Sequence, residues 1–224
     1  MCGRFTLTTP DQLALRFDII EDERDEAERR NPAYNIAPSQ DIAVIVERAA
    51  GRLLRAMSWG FRPAWASATA PRPAPINARA ETLLERPLFR SAIARSRCLI
   101  PANGFYEWQS TPGGKTKRPV YIRRDDRALV GFAGLYSVGK DGTASCAIIT
   151  TEPNALVARI HDRMPAILDP AAESLWLDPA FTDPVALLEC LRPCPADLLV
   201  AYPVSPRVSS PREDGPSLIE PLTA

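Results

Sequence analysis

Short runs of alternating or β-branched apolar residues recur along the chain and predict strands. Turns rich in glycine or in charged residues separate most of these runs, which is typical of antiparallel strands joined by short connections. Gly51 divides two of the runs and predicts a hairpin there. The predicted strands are Arg4 to Leu7, Ile42 to Val46, Leu53 to Ser58, Cys98 to Pro101, Gly104 to Gln109, Pro119 to Arg123, Leu129 to Tyr136, Ala144 to Thr151 and Leu198 to Val204.

Helical patterns fall mainly on the flanks of this strand-rich region. Thr9 predicts an N-cap, with Pro10 at the first helical position and Gln12 closing a capping box. Pro87 should divide the helical spacing between Arg79 and Ser96 into two shorter pieces. The other segments are helices at Pro153 to Ile160 and Asp183 to Leu191, a solvated helix end or loop at Glu21 to Arg30, and an extended loop at Ser67 to Pro75.

Strands and helices do not alternate regularly along the chain, so a parallel α/β architecture is not expected. The pattern favours an α+β fold, in which short helices flank a curved, largely antiparallel and barrel-like β-sheet core. The sequence shows no internal repeat and no linker long enough to divide it. We therefore predict a single compact domain over residues 1–224.

Composition narrows the class of protein further. The chain has 27 basic and 27 acidic side chains, which argues against a globally basic nucleic-acid coat, so any DNA contact must come from a local patch. It contains no run of 18 apolar residues and no apolar stretch typical of a signal peptide, so no membrane association and a cytoplasmic location are expected. Five irregularly spaced cysteines predict reduced thiols, and a monomer is the default expectation.

Cys2 is the first candidate for chemistry. A methionine before so small a residue is normally removable, and its removal would leave an amine and a thiol on adjacent carbons. An α-amine has a pKa of about 7.7–8.0, so part of it is neutral at pH 7 and able to attack an aldehyde. Addition of the thiol to the resulting imine would close a thiazolidine ring. From its position alone, Cys2 is equally consistent with an unremarkable second residue.

His161 is the single histidine of the chain and lies beside Asp162. If a helix ends just before it, the helix dipole and Asp162 would both favour the protonated imidazole and make it a proton donor. A packed or surface histidine is the competing interpretation. With one histidine and no Cys-x-x-Cys motif, no metal site and no cofactor are expected.

Two further polar residues lie in apolar surroundings. Glu107 has Tyr106 and Trp108 on either side, so its carboxylate either points outward or is desolvated with a raised pKa. Asn77 either caps a following helix or binds a ligand. Arginines and aromatic residues recur nearby, and if these segments converge they would form a patch for phosphates and stacked bases.

These segments, in order, resemble the SRAP family, the SOS response-associated peptidase domain whose members cover abasic sites in single-stranded DNA. The resemblance spans most of the chain. The matching strings are Met1-Cys2-Gly3-Arg4-Phe5, Tyr34-Asn35-Ile36-Ala37-Pro38, Trp59-Gly60-Phe61, Ile76-Asn77-Ala78-Arg79-Ala80-Glu81-Thr82, Arg97-Cys98-Leu99-Ile100-Pro101, Gly104-Phe105-Tyr106-Glu107-Trp108 and Ile160-His161-Asp162-Arg163-Met164-Pro165.

The resemblance implies a sensor and shield of abasic sites that becomes crosslinked to single-stranded DNA through Cys2, as a thiazolidine, by lyase-like Schiff-base chemistry. It implies that Asn77 holds the N-terminal residue or the opened sugar, and that Glu107 and His161 move protons. The implied DNA contacts are Arg4, Asn35, Pro38, Trp59, Phe61, Trp65, Arg79, Thr150 and Arg163.

Two departures from the family pattern limit the prediction. The aromatic loop reads Pro63-Ala64-Trp65-Ala66, so stacking there rests on Trp65, and Val208-Ser209-Ser210 lacks an asparagine expected after the valine.

Two other functions stay open. One is a cysteine peptidase, with its own N-terminus as one candidate substrate, and the other is a non-covalent module for single strands.

Overall fold

The computed structural model describes residues 2–66, 74–111, 113–114 and 116–222. Its strands are β1 (Phe5–Leu7), β2 (Ile19–Asp22), β3 (Ala33–Ile36), β4 (Asp41–Arg48), β5 (Gly51–Trp59), β6 (Asn77–Arg79), β7 (Arg97–Ala102), β8 (Gly104–Ser110), β9 (Lys117–Arg124), β10 (Val130–Val138), β11 (Ala144–Thr151), β12 (Met164–Pro165), β13 (Ile167–Leu168) and β14 (Leu199–Pro203). Its α-helices are α1 (Leu13–Arg16), α2 (Glu26–Arg30), α3 (Pro87–Arg95), α4 (Pro170–Leu177) and α5 (Pro184–Glu189).

Five strands form a closed ring. The strand order β11-β10-β7-β4-β5 runs through antiparallel pairs, and a parallel pairing of β11 with β5 closes it. Ser145 and Cys146 face Ser58 and Trp59 at this closure. The predicted α+β fold with a curved, barrel-like sheet is confirmed, and the predicted hairpin of β4 and β5 is present.

A second sheet of five strands, in the order β14-β9-β8-β1-β3, packs against the ring. Strand alternation gives β8 two different faces. Phe105 lies in a core cluster with Phe5 of β1 and with Phe132 of the ring strand β10. Tyr106 packs against Tyr121 on the other side of β8. Because β1 pairs with β8, the N-terminal segment is brought between the two sheets.

Several helix predictions need correction. Pro10–Gln12 is a 3₁₀ turn whose Thr9 makes no side-chain cap, so the predicted capping box is absent there. The segment predicted as a helix from Pro153 to Ile160 holds a 3₁₀ turn at Val157–Arg159. Its start is different because the Asn154 side chain accepts a hydrogen bond from the Val157 amide at 3.0 Å.

The remaining predictions concern the division at Pro87, the charged segment from Glu21 to Arg30 and the loop from Ser67 to Pro75. Pro87 stands at the first position of α3, and a 3₁₀ turn at Ala80–Thr82 precedes it, so the predicted division of this segment is confirmed. The charged segment that was expected to be solvated contains α2, which begins with a capping box between Asp25 and Glu28. Most of the loop predicted at Ser67 to Pro75 lies outside the described residues. In the described part of the chain, no helix has the length and apolar character needed to span a membrane.

Candidate functional site

Strand pairing places Glu107 beside the N-terminal segment. The Tyr106 amide donates to the Arg4 carbonyl at 3.0 Å, so the residues before β1 continue alongside β8. Glu107 shares the inward face of β8 with Phe105, two residues away. The Glu107 side chain is 2% exposed, and burial raises its pKa to about 7. The desolvated carboxylate expected as one alternative from the sequence is therefore the one observed.

Cys2 is fully buried in the same core cluster in the unprocessed chain. Burial raises the pKa of its thiol far above the ordinary value, and the negative charge of Glu107 raises it further. The side chain is thus a neutral thiol at pH 7.

Asn77 joins the N-terminal residue to the ring. It starts β6, which pairs in parallel with β11 so that Asn77 faces Ile148. Its Nδ2 donates to the Cys2 carbonyl oxygen at 2.9 Å. Its Oδ1 is buried and has no hydrogen-bond partner among the described residues. Asn77 is therefore a ligand of the N-terminal residue, with one acceptor left to bind another donor.

His161 follows the 3₁₀ turn and faces Glu107. The distance from its Nε2 to Glu107 Oε2 is 3.7 Å. Its Nδ1 lies 3.1 Å from the Arg163 amide and 2.9 Å from Asp162 Oδ1. The two contacts require opposite protonation of Nδ1, because an amide needs an acceptor and a carboxylate needs a donor.

Burial lowers the pKa of His161, and the nearby Asp162 only partly opposes this effect. The neutral form is therefore favoured at pH 7, with Nδ1 accepting from the Arg163 amide and Nε2–H directed towards Glu107. The expectation of a protonated imidazole was wrong for two reasons. Desolvation outweighs Asp162, and a three-residue 3₁₀ turn replaces the helix whose dipole was invoked.

Arg4 and Asn35 form hydrogen bonds with each other and with the C-terminal segment. Arg4 Nη1 donates to Asn35 Oδ1 and to the Val208 carbonyl, both at 2.7 Å. Asn35 Nδ2 donates to the carbonyls of Ser210 and Glu213. Asn35 is buried and both ends of its amide are used, so the predicted DNA contact by Asn35 is not supported by this arrangement. Arg4 is half-buried.

Arg79 ends β6 and Arg163 directly precedes β12, and both of these strands pair with β11. Arg79 faces Thr150 across the pairing of β6 with β11 and is exposed. Arg163 forms a two-point ion pair with Glu81 and donates to the Thr150 carbonyl at 2.6 Å. Thr150 itself is fully buried. The structure thus brings Arg79, Thr150 and Arg163 together, as predicted, but Thr150 lies behind Arg163.

The predicted stacking residues separate into two groups. Trp59 is fully buried and its indole N–H donates to the Ile76 carbonyl at 2.9 Å. Phe61 is buried against Phe89. Neither ring offers a face to a base, so the predicted stacking by Trp59 and Phe61 is corrected here to a role in the core. Trp65 is 78% exposed.

Trp65 borders a cavity of about 320 Å³ that Arg62, Lys140 and Asp141 also line. Pro38, one of the DNA contacts implied by the resemblance, is exposed. Within the described ranges, no group of three or more histidine, cysteine, aspartate or glutamate side chains is arranged to hold a metal ion.

Sequence reasoning assigned no role to Glu81. The residue stands in the quoted string around Asn77, but its ion pair with Arg163 joins positions 82 residues apart. A carboxylate within a motif that also contains Arg79 was the one available signal. It could not indicate which arginine the carboxylate would bind.

Comparisons with known proteins agree over nearly the whole chain. A model of the family described as SOS response associated peptidase (SRAP) matches residues 1–211. The abasic site processing protein YoqW of Bacillus subtilis is 43% identical over 98% of this chain and 99% of its own length. The abasic site processing protein YedK of Escherichia coli is 31% identical over 99% of this chain and all of its own.

Solved structures show the same fold. A protein from Bacteroides thetaiotaomicron superposes with a TM-score of 0.87 at 26% identity, covering 99% of this chain and 100% of that one. A protein from Bordetella bronchiseptica gives a TM-score of 0.76 at 26% identity over 91% of this chain and 100% of its own.

Proposed function

The chain belongs to the SOS response associated peptidase family, and from its site we propose that it processes abasic sites by trapping them in single-stranded DNA. Relatives across its full length bear the name abasic site processing protein. The trap is Cys2 after loss of Met1. The product is a thiazolidine that links the opened sugar to the N-terminus of the protein.

One observation carries this proposal. The Asn77 side chain holds the Cys2 carbonyl at 2.9 Å, in a place where Glu107 is buried and its pKa is about 7. A residue whose amine is to react must be fixed in position, and it needs a nearby group that exchanges protons near neutral pH. The Asn77–Cys2 bond supplies the first and Glu107 supplies the second.

The chemistry starts from the ring-opened sugar, which carries an aldehyde at C1′. The neutral α-amine of Cys2 attacks this carbon to give a carbinolamine, and loss of one water gives the imine. The Cys2 sulfur then adds to the imine carbon while the thiol proton passes to nitrogen. Two bonds to C1′ replace the carbonyl, and the adduct has the summed mass of protein and DNA minus one water.

Glu107 suits both halves of this sequence. With a pKa of about 7, it is present as acid and as base in comparable amounts at neutral pH. The carboxylate accepts a proton from the α-ammonium, and the acid form donates one to the departing water. Because burial raises the pKa of the thiol, the Cys2 sulfur reacts as the second nucleophile, after the α-amine has formed the imine.

His161 supports Glu107 in this scheme. Its neutral ring presents Nε2–H to the carboxylate at 3.7 Å and can also donate to the sugar ring oxygen as the ring opens. The division of labour differs from a peptidase, in which an imidazole creates a thiolate. The raised pKa of the Cys2 thiol argues against that alternative.

The DNA strand would reach this site over Arg79, Arg163 and the exposed ring of Trp65. Arginines bind phosphates, and an exposed aromatic ring stacks on any base, so the contact is independent of sequence. Single-stranded DNA is favoured because its backbone can bend a sugar into a buried site and its bases are free to stack.

The experiment that tests the proposal compares two N-terminal variants with the parent protein on an oligonucleotide with one abasic site. Cys2→Ser retains a removable Met1 and a free amine but lacks sulfur. It should form an imine that borohydride reduces to a stable link, and no link that survives without reduction. A glutamine inserted between Met1 and Cys2 should abolish both products, because Met1 then stays in place and the nitrogen of Cys2 remains in an amide.

The outcomes separate the role of the Cys2 sulfur, the role of the Cys2 α-amine and non-covalent binding. A stable link in the Cys2→Ser protein would contradict ring closure by sulfur. A stable link in the inserted variant would show that the α-amine of Cys2 is not the nucleophile. Equal binding without any link in all proteins would indicate a non-covalent module.

A further inference from the structure

Glu81 binds the arginine that the proposed function assigns to a DNA phosphate. Arg163 Nη1 donates to Oε1 at 2.8 Å and Nη2 donates to Oε2 at 2.9 Å. This is the two-point geometry in which a guanidinium binds a carboxylate or a phosphate. Glu81 therefore occupies the position on Arg163 that a phosphate would take.

Two other donors of Arg163 lie against the protein interior. Nη2 also donates to the Thr150 carbonyl at 2.6 Å. Nε is buried and has no hydrogen-bond partner among the described residues. A buried donor without a partner is destabilising. The guanidinium is thus held in an arrangement that leaves one of its own donors unsatisfied.

Glu81 is the more easily displaced member of the pair. Its side chain is 42% exposed, against 12% for Arg163, and it stands on the 3₁₀ turn Ala80–Thr82. Burial works to raise the pKa of Glu81, but hydrogen bonds and the charges of Arg163 and Arg79 lower it overall. The carboxylate is therefore ionised, and its single negative charge acts on both arginines.

We propose that Glu81 is an internal competitor of the DNA phosphate, which keeps Arg163 occupied until a strand displaces the carboxylate into solvent. The inference rests on the proposed function, since it assumes that a DNA strand passes Arg79 and Arg163. Its consequence is selectivity. Undamaged strands bind weakly and leave, whereas an abasic site is retained because its aldehyde becomes covalently bound.

The test measures the affinity of an undamaged single-stranded oligonucleotide for Glu81→Gln and for Glu85→Gln. Glu85 is exposed and close in sequence, so both variants lose one negative charge. We expect Glu81→Gln to bind about fivefold more tightly and Glu85→Gln to change affinity by less than about twofold. For Glu81→Gln, the slope of log affinity against log salt concentration should steepen by about 0.7, the value for one more phosphate contact on a single strand.

Two more variants make the result specific to the Arg163 contact. In an Arg163→Met background, Glu81→Gln should give no gain in affinity. Glu81→Asp retains the charge but shortens the side chain, so it should give a smaller gain in the same direction. Thermal unfolding of each variant checks that it is folded. If Glu81→Gln does not fold, the affinity of Glu81→Asp for the oligonucleotide tests the inference.

Reduced affinity in Glu81→Gln would overturn the inference, because Glu81 would then orient Arg163 for the phosphate. Equal gains in Glu81→Gln and Glu85→Gln would overturn it too, since they would reflect net charge alone. Crosslinking of the parent protein to an abasic oligonucleotide, measured in parallel, reports on the proposed function. An absent crosslink with an unchanged affinity pattern would contradict that function and leave the role of Glu81 intact.

Discussion

Arg97 and Glu107 are both almost fully buried, yet their surroundings differ in kind. Arg97 donates to five backbone carbonyls, those of Ile93, Ala94, Trp176, Asp178 and Phe181, and so joins α3 to the end of α4. Glu107 faces a neutral imidazole and a thiol, and burial raises its pKa to about 7.

The difference separates a structural charge from a reactive one. A buried charge with a full set of hydrogen bonds is stabilised as an ion and holds its neighbours in place. A buried carboxylate whose ionisation is opposed by its surroundings exchanges its proton near neutral pH, which is what acid and base catalysis requires. Three predictions test this distinction and a fourth tests the surface by which DNA would reach the reactive site, in decreasing order of expected effect.

Arg97→Met should lower the free energy of unfolding by about 4 kcal/mol, because five carbonyls lose a common donor. The midpoint of thermal unfolding should fall by about 10 °C. Arg95→Met, an exposed neighbour on α3, is the matched control and should change stability by less than about 0.5 kcal/mol. Similar losses in the two variants would remove the structural half of the comparison.

Glu107→Gln should slow crosslinking about a hundredfold, at the lower end of what acid and base catalysis contributes. Single-turnover kinetics with an abasic oligonucleotide measure the rate. Affinity for undamaged DNA should stay within about twofold, since Glu107 is buried. A rate within a factor of about three of the parent protein would remove proton transfer by Glu107 from the account.

Glu107 should also make the stability depend on pH. Its folded pKa of about 7 lies above the ordinary value of 4.5, so the folded state binds more protons between these values and stability falls as pH rises. Glu107→Gln should therefore be more stable than the parent by at most about 3 kcal/mol at pH 8 and not at pH 4. Denaturant unfolding at both pH values measures the difference, and an unchanged difference across this range would contradict the raised pKa.

Trp65→Ala should weaken binding of an undamaged single strand about tenfold, as expected for the loss of one stacked base. Fluorescence anisotropy with a labelled oligonucleotide measures it. Arg62 and Lys140 remain in that variant, so the salt dependence of binding should be retained. Equal affinity with and without the ring would remove Trp65 from the DNA surface.

The fold was largely predictable because its strands carry strong local signals. The runs that became β4, β5, β7, β8, β10 and β11 alternate or are continuously apolar, and they include the entire ring. Failures occurred where helix capping decided the local outcome. Asn154 caps the turn that follows it, so this helical segment starts later than predicted, whereas Thr9 makes no cap.

The candidate site divides in the same way. Cys2, Asn77 and Glu107 could be identified from their types and from the strings around them, and the structure joins them. The role of Trp59 could not be predicted, because exposure depends on the closure of β5 against β11. The proton on His161 could not be predicted either, since it depends on burial and on the Arg163 amide.

The central claim is that the N-terminal Cys2 bonds covalently to an abasic site. The most direct measurement is the intact mass of the purified protein, alone and after incubation with single-stranded oligonucleotides with and without one abasic site. The account predicts a protein that lacks Met1 and that gains the oligonucleotide mass minus one water with the damaged strand alone. Retained Met1, or no adduct from fully processed protein, would contradict it.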